Sequence, residues 1–215
     1  GLTNRPNVMA LTATATEKVQ ADLAQILAID KTVKTGFARG NLAIKIEKGL
    51  SSCDKLKFVV AYVNNHPDDV GIIYVGTRKK VDELAALLAK SGIVSGRYHA
   101  GMSDVEREAA QNGFLYDEFQ VIIATNAFGM GIDKSNVSFV IHYNMPKSLE
   151  AYYQEAGRAG RDGCDADCIL LYAPQDVITA RWLIEHSDPN PDLTPEEQAQ
   201  VRQYAEFLKS QRKSD

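Results

Sequence analysis

The sequence predicts an α/β fold, a three-layer αβα sandwich with a mostly parallel twisted sheet, plus flanking helical segments. From residue 71 to residue 172, short runs rich in Val and Ile alternate with longer amphipathic stretches. This alternation is typical of βαβ units around a buried parallel sheet. The chain has 215 residues, of which 45% are hydrophobic, and a chain of this size can bury one such core.

Strands are predicted at 71–75, 96–99, 120–124, 137–143 and 166–172. Between the first two, apolar residues recur at helical spacing until Ser91 and Gly92, a helix stop signal. Ser103 and Glu106 have the spacing of a capping box, which predicts a helix that runs to about residue 116. Further helices are predicted from Ser148 to the glycines at 157 and 160, and over 175–185.

The two flanks of this core carry additional elements. Residues 1–35 are interpreted as a loop, a strand at 8–11 and a helix capped by Thr16, and residues 45–62 as a strand and a helix. Residues 186–192 form a polar linker. The run TPEE at 194–197 then combines an N-cap, a first-turn proline and a capping glutamate, so a last helix is expected there.

Charge and cysteine usage exclude several classes of protein. The formal net charge of −4 argues against a uniformly basic nucleic-acid coat, although a local positive groove is compatible with it. Cys53, Cys164 and Cys168 fit neither a disulfide set nor a zinc pattern, so no metal ligand is predicted. No run approaches the roughly 20 apolar residues of a membrane helix, and no secretion signal is present. A cytoplasmic protein without membrane contact is expected.

The run QEAGRAGRDG at 154–163 is the strongest chemical signal in the sequence. Arg158 and Arg161 are three residues apart and share one face of a helix, and the adjacent glycines permit the close approach of a phosphate or of another protein surface. A planar, permanently charged guanidinium is suited to hold phosphoryl oxygens while charge moves between phosphates. The alternative is a glycine-rich helix end with solvated arginines.

The run TNAFGMGID at 125–133 follows directly on an apolar strand. Ligands of open parallel sheets bind at the carboxyl ends of strands, where the Thr125 hydroxyl and backbone N–H groups can hold a nucleic-acid phosphate. Asp133 is a candidate partner for a ribose hydroxyl or for one of the arginines. For Phe128 and Met130, packing in the core is as good an interpretation as a role in the site.

These two runs resemble motifs V and VI of helicases, and the second has the form found in RecQ-type DNA helicases. DEAD-box RNA helicases typically carry a different run, His-Arg-Ile-Gly-Arg-Thr-Gly-Arg, at that place. The resemblance implies a RecA-like sandwich. It extends to further runs: ALTATAT (10–16), FARGNL (37–42), GIIYVGTRKKVD (71–82) and YHAG (98–101).

The resemblance implies roles for individual residues. Arg161 would be the arginine finger in ATP hydrolysis, and Arg158 would support the phosphates or the closed cleft. The nucleotide cleft would also include Gln154, Gly131 and Asp133. The single-strand path would be lined by Thr77, Arg78, His99, Thr125 and Asn126, mainly through phosphate contacts. Otherwise His99 is a satisfied structural histidine and Arg78 belongs to a solvated helix start.

The sequence contains no G-x-x-x-x-G-K-[ST] phosphate loop. ATP and Mg²⁺ are therefore expected to bind mainly to a first lobe, and the fragment alone is expected to be inactive. Residues 1–35 are predicted to be the tail of that lobe and 36–185 the second lobe. Residues 186–215 would lead toward a zinc-binding module, so zinc is expected in the full-length protein only.

The resemblance implies the second motor lobe of a 3′–5′ DNA helicase that acts in DNA repair and recombination, in a bacterial cytoplasm at the nucleoid. Its expected partners are single-stranded and duplex DNA and the N-terminal motor lobe. Two alternatives stay open. One is the motor lobe of an RNA helicase or chromatin remodeller, against which the run at 154–163 argues. The other is a non-catalytic binding module, against which the intact Arg158, Arg161 and Thr125 argue.

Overall fold

The computed structural model describes residues 9–10, 17–29, 31–33, 39–129 and 132–173. The chain divides into two compact units, Gly1–Arg39 and Gly40–Asp215. In the first unit, helix α1 spans Glu17–Ile26, as predicted, while its expected cap lies outside the described residues. Of the strand predicted at 8–11, Met9 and Ala10 are described and belong to no strand. The helices predicted after residue 173 lie outside the described part.

The second unit is an alternation of strands and helices. Its strands are β1 Leu42–Lys48, β2 Val70–Tyr74, β3 Ser95–Tyr98, β4 Val121–Ala124, β5 Val137–His142 and β6 Ala166–Tyr172. Its helices are α2 Ser52–Asn65, α3 Arg78–Lys90, α4 Asp104–Leu115 and α5 Leu149–Ala156. The five strands predicted between residues 71 and 172 are confirmed to within one residue at each end. The strand and helix predicted over 45–62 begin earlier, at residue 42, and extend further, to residue 65.

The six strands form one sheet in the order β1-β6-β5-β2-β4-β3, and every neighbouring pair is parallel. The first and last strands are therefore neighbours. Tyr74, the last residue of β2, is level with Ala124 on one side and with His142 on the other. Because the strands share one direction, their carboxyl ends align along one edge of the sheet, which we call the carboxyl edge; the opposite one is the amino edge.

Helices cover both faces of the sheet. On one face α2 and α3 pack through buried residues such as Val59 and Leu84, and on the other face α4 and α5 contribute Phe114 and Tyr152. Phe114 is fully buried, and the burial of a side chain of this size contributes about 1.5–3 kcal/mol. The predicted αβα sandwich is confirmed.

Side-chain caps fix where helices begin. Ser103 Oγ accepts from the Glu106 N–H, and Glu106 Oε2 accepts from the Ser103 N–H at 2.8 Å, so the predicted capping box is present. Thr77 caps α3 in the same way by accepting from the Lys80 N–H at 3.2 Å. Among the described helices, none is both long enough and apolar enough to cross a bilayer.

Candidate functional site

The loops at the carboxyl edge enclose a cleft of about 390 Å³, which we call the strand-end cleft. Its polar lining includes Thr77, Arg78, Thr125, Asn126, His142 and Glu155. Four of these six residues were predicted to line the single-strand path, and the parallel sheet brings them together from the ends of β2 and β4. Lys147 adds a positive charge to the same lining.

Thr125 and Asn126 are placed by a tight turn after β4. The Thr125 N–H donates to the Tyr98 carbonyl at 3.2 Å, and the Phe128 N–H donates to the Thr125 carbonyl at 3.0 Å. Thr125 is buried and Asn126 is exposed. The turn therefore directs a hydroxyl into the cleft wall and an amide group toward solvent, where a phosphate oxygen could be bound.

Arg78, which follows β2, lies beside Gly101, which follows β3, although β4 separates these two strands in the sheet. A Cβ atom on Gly101 would stand 3.2 Å from Arg78 Cδ and 3.3 Å from its Nη1. The missing side chain at Gly101 therefore leaves room for the guanidinium at the mouth of the cleft. The adjacent Gly76 N–H donates to Asn144 Oδ1 at 3.1 Å, which connects the ends of β2 and β5.

His99 stands apart from the other predicted path residues. It is 8% exposed, its Nδ1 accepts from the Gly101 N–H at 3.1 Å, and its Nε2 lies 3.5 Å from Asp82 Oδ2. It is not in the cleft lining. This geometry is that of a structural histidine, which holds the Gly101 turn beneath Arg78.

Arg158 packs against the loop that follows β4. Its Nη1 donates to the Gly129 carbonyl at 2.5 Å. Gly129 has φ +127°, and a Cβ atom there would lie 2.1 Å from Arg158 Cζ. Only glycine permits both this backbone conformation and this close approach.

Arg161 is the more accessible of the two arginines. Its Nη1 donates to the Ile132 carbonyl and to Asp133 Oδ1, both at 3.2 Å. The side chain of Arg161 is 36% exposed and that of Asp133 is 95% exposed. Of the two partners that the sequence left open for Asp133, the arginine is the one in contact. An exposed pair of this kind is worth about 0–1 kcal/mol, so Arg161 can exchange it for another anion at little cost.

The arginine segment, residues 158–163, is fastened to the amino edge of the sheet. The Gly160 N–H donates to the Val137 carbonyl at 2.8 Å. Asn41, just before β1, donates its Nδ2–H₂ to the carbonyls of Gly160 at 2.9 Å and Cys164 at 2.8 Å. Sequence reasoning did not assign Asn41 to the site, although it lies in the FARGNL run.

The strand-end cleft and the arginine segment thus lie at opposite edges of the sheet. The six residues of β5 separate them by about 20 Å at the usual rise per residue. Helix α5 extends from one to the other, and the described residues 125–129 lead from the cleft to the Gly129 carbonyl that Arg158 binds. The predicted site residue Gln154 is exposed on α5, whereas Gly131 lies outside the described residues.

Residues 54–163 match the family described as helicase conserved C-terminal domain. The chain belongs to this family.

Several curated relatives of this helicase lobe carry RecQ names, and one, from Acanthamoeba polyphaga mimivirus, is named as a putative ATP-dependent RNA helicase. The ATP-dependent DNA helicase RecQ of Bacillus subtilis is 50% identical over 189 residues, which cover 87% of this chain and 32% of the relative. The RecQ of Haemophilus influenzae is 40% identical over 95% of this chain and 33% of the relative. The RecQ-like DNA helicase BLM of Xenopus laevis is 43% identical over 83% of this chain and 13% of the relative. The predicted similarity to a RecQ-type C-terminal lobe is confirmed, and the chain spans about a third or less of each of these relatives.

Solved structures confirm the RecA-like fold of the lobe. Saccharomyces cerevisiae Dbp5 bound to RNA and ADP BeF3 superposes with a TM-score of 0.68 at 20% identity, over 92% of this chain and 54% of that one. Escherichia coli DEAD-box protein SrmB bound to RraA gives a TM-score of 0.57 at 26% identity, over 62% and 80%. At identities this low, the likeness to Dbp5 concerns the fold alone.

A buried polar cluster in the helicase lobe was not singled out from the sequence. His142 Nε2 lies 2.9 Å from Glu155 Oε2, and the Tyr74 hydroxyl donates to the Phe128 carbonyl at 3.3 Å. Burial raises the pKa of Tyr74 above its usual range. A histidine at the end of an otherwise apolar strand was the available sequence signal for this cluster.

Metal ligands are not grouped in the part of the helicase lobe that the structure describes. It contains no cluster of three or more His, Cys, Asp or Glu side chains able to hold a metal ion. The three cysteines are free thiols, with Cys53 and Cys164 exposed and Cys168 buried. The described residues of this lobe therefore do not fit a Mg²⁺ or Zn²⁺ site.

Proposed function

We propose that this lobe is the second motor lobe of an ATP-dependent 3′–5′ DNA helicase of RecQ type. It would act on single-stranded and duplex DNA together with an N-terminal motor lobe. The names of the RecQ relatives support this proposal. So does the placement of an arginine segment and a polar cleft at opposite ends of the strands of one sheet, because a motor must join nucleotide turnover to movement along a strand.

The position of Arg161 is the observation on which the proposal rests. Its guanidinium stands at the amino edge, where its partners among the described residues are the Ile132 carbonyl and the exposed Asp133 carboxylate. As the arginine finger, it would leave Asp133 and stabilise the charge that develops on the transferred phosphoryl group of ATP. Such a finger contributes about 10³–10⁵ in rate in comparable enzymes.

Arg158 would have a supporting role, because its Nη1 is already committed to the Gly129 carbonyl. It would fix the loop at 125–133 against the arginine segment. Gln154, Gly131 and Asp133 would complete the nucleotide side. Mg²⁺ and most contacts to ATP are proposed for the first lobe, since the described part of this lobe offers no cluster of metal ligands.

The strand-end cleft would bind the single strand through its phosphates. Thr77, Arg78, Thr125 and Asn126 supply hydroxyl, guanidinium and amide groups at its surface, and such contacts position a strand of any sequence. Lys147 would add to the electrostatic attraction. His99 would act indirectly, since its ring holds the Gly101 turn.

The remaining parts of the sequence prediction belong to the same proposal. Residues 1–35 would be the tail of the first lobe, 36–185 the second lobe, and 186–215 a connection to a zinc-binding module of the full-length protein. A bacterial cytoplasm, at the nucleoid, and a role in DNA repair and recombination are proposed from the RecQ relatives.

The test is Arg161→Ala in the complete helicase that contains this lobe. We expect ATP turnover stimulated by single-stranded DNA to fall by about 10³, while ATP binding, measured by equilibrium titration, stays near the wild-type value. Arg97→Ala is the matched control, because Arg97 pairs with Asp82 away from the arginine segment, and it should retain turnover.

Turnover within a few-fold of wild type in Arg161→Ala would show that Arg161 is not the finger. If RNA stimulated turnover better than DNA of the same length, the RNA-helicase alternative would replace the proposal. If the complete wild-type protein did not hydrolyse ATP, the binding-module alternative would be favoured.

A further inference from the structure

The buried pair His142–Glu155 lies between the two candidate surfaces and is not explained by simple packing. The His142 side chain is 1% exposed and that of Glu155 is 12% exposed, with Nε2 and Oε2 at 2.9 Å. Two ionisable groups in an apolar cluster rarely stabilise a fold more than well-packed apolar side chains of the same volume. A geometric requirement is a better reason for their presence.

The His142 ring connects three elements. It stacks on Tyr74 of β2 with ring centroids 5.5 Å apart, and it contacts Tyr152 of α5 at 4.9 Å. Within the described part of the chain, its buried Nδ1 faces no hydrogen-bond partner. The ring orientation is therefore set by the Glu155 hydrogen bond and by two aromatic contacts.

Both partners also line the strand-end cleft, beside Thr125 and Asn126. On the other side, Glu155 precedes Arg158 by three residues, just under one helical turn. Arg158 in turn holds the Gly129 carbonyl, while Tyr74, stacked on His142, holds the Phe128 carbonyl. Two consecutive carbonyls after the Thr125 turn are thus bound by side chains that lie next to this pair.

We propose that the His142–Glu155 pair couples the strand-end cleft to the arginine segment, so that nucleic-acid phosphate in the cleft accelerates ATP hydrolysis. The inference rests on the proposed function. A phosphate that binds Thr125 and Asn126 moves the turn and its Phe128 and Gly129 carbonyls. The Tyr74 and Arg158 side chains, which bind these carbonyls, shift with them. Because Glu155 is hydrogen-bonded to His142, α5 then moves together with the carboxyl end of β5. His142 and Glu155 are positioning residues that touch neither ATP nor its phosphates.

The experiment compares His142→Phe with wild type in the complete helicase. Phenylalanine keeps the ring and its stacking but removes the hydrogen bond to Glu155. We expect the ratio of turnover with oligothymidylate to turnover without DNA to fall by about tenfold, within the usual range of coupling between sites. The affinity for oligothymidylate and the KM for ATP should change by less than the ratio does.

His66→Phe is the matched control. Like His142, His66 stacks on a tyrosine, Tyr62, and its Nδ1 lies 2.7 Å from the Tyr62 carbonyl oxygen, but it is only partly buried and packs on the opposite face of the sheet. It should leave the stimulation ratio unchanged. Glu155→Gln supplies a second variant that keeps the shape and a neutral hydrogen bond, and its ratio should lie between wild type and His142→Phe.

An unchanged ratio in both His142→Phe and Glu155→Gln would overturn the coupling. An equal fall of basal and stimulated turnover would also overturn it, because that result indicates a purely structural role. Failure of the proposed function gives a different result, because Arg161→Ala would then retain ATP turnover. If His142→Phe does not fold, the stimulation ratio measured for Glu155→Gln tests the coupling by itself.

Discussion

At the carboxyl edge, Thr125 and Asn126 are placed by the end of β4 and by the backbone hydrogen bonds of the turn that follows it. At the amino edge the opposite holds. Arg158 and Asn41 fix the arginine segment through their own side chains, and glycines such as Gly129 make room for them. The Thr125 turn of the cleft is held by backbone hydrogen bonds, whereas the arginine segment is held largely by side-chain contacts to backbone carbonyls.

This difference predicts how each surface responds to substitution. A surface placed by the sheet loses one contact when one side chain is removed. The arginine segment is displaced as a unit when a carbonyl or a glycine moves, and a 1 Å misplacement at a reacting centre costs about 10² in rate. We therefore expect small, additive effects in the cleft and large effects on turnover at the amino edge.

The largest effect in this comparison is expected for Gly129→Ala. The new Cβ would lie 2.1 Å from Arg158 Cζ at a backbone φ of +127°, so Arg158 must leave its position. DNA-stimulated ATP turnover should fall by about 10², with single-strand affinity nearly unchanged. Phosphate release over time and fluorescence anisotropy measure the two quantities.

Gly92→Ala is the control for Gly129→Ala, because it introduces backbone strain without a clash against Arg158. Gly92 has φ +80°, but no atom lies within 4 Å of the place that a Cβ atom would take. Strain alone costs about 1–3 kcal/mol of stability and should leave turnover intact. If Gly129→Ala behaved like Gly92→Ala, the close packing of Arg158 would not matter for hydrolysis.

A smaller effect is expected for Arg78→Ala at the carboxyl edge. The loss of one phosphate contact should weaken oligothymidylate binding by about fivefold, equivalent to ~1 kcal/mol. The slope of log affinity against log salt should fall by about 0.7. Lys79→Ala is the control, since Lys79 is 87% exposed, pairs with Glu83 and lies outside the cleft lining; equal losses in both variants would argue against a specific Arg78 contact.

The smallest expected effect is on the stability of the β1–β6 strand pair in acid, close to the amino edge. Partial burial alone would raise the pKa of Asp167, but hydrogen bonds from Lys45 and Tyr62 outweigh it and hold the pKa below its usual value. A depressed pKa contributes stability that is present above about pH 3.9 and is lost as the pH falls through the lower folded value. Acid should therefore weaken the β1–β6 pair, where Lys45 and Asp167 lie.

Asp167→Asn tests this expectation in thermal unfolding of the chain from pH 7 to pH 3. The variant should be less stable than wild type by about 1 kcal/mol at pH 7, and the difference should shrink as the pH falls below 4. A difference that is constant across this range would show that ionisation of Asp167 is not what stabilises the pair.

The elements of the sheet were predictable because their sequence pattern is strong. Buried runs such as residues 70–74 are apolar throughout, and the glycine-containing and polar segments that bound them limit the error to one residue. That Thr125 and Arg78 would lie near each other was predictable, because Thr125 directly follows β4, Arg78 comes four residues after β2, and the carboxyl ends of parallel strands meet.

Contacts between distant residues were not predictable in this way. Asn41 and Gly160 are 119 positions apart, and only the order of strands in the sheet brings them together. For His142 and Glu155 the obstacle was orientation, because their sequence spacing does not reveal that both side chains turn inward to the same point. The contact of His99 with Asp82 likewise joins two separate elements, and the sequence placed Asp82 only on a helix.

The adjacency of β1 and β6 has a consequence for synthesis on the ribosome. Asn41 and Cys164, which close the arginine segment at this strand pair, are 123 positions apart. At about 5–20 residues per second, Asn41 emerges on the order of ten seconds before its partners exist. The central strands can pair during that interval, but the contacts of Asn41 to the arginine segment cannot form until residues 160–164 have left the ribosome. A chain that stalls in translation before residue 160 therefore lacks these contacts, even though β2, β4 and β5 are already complete.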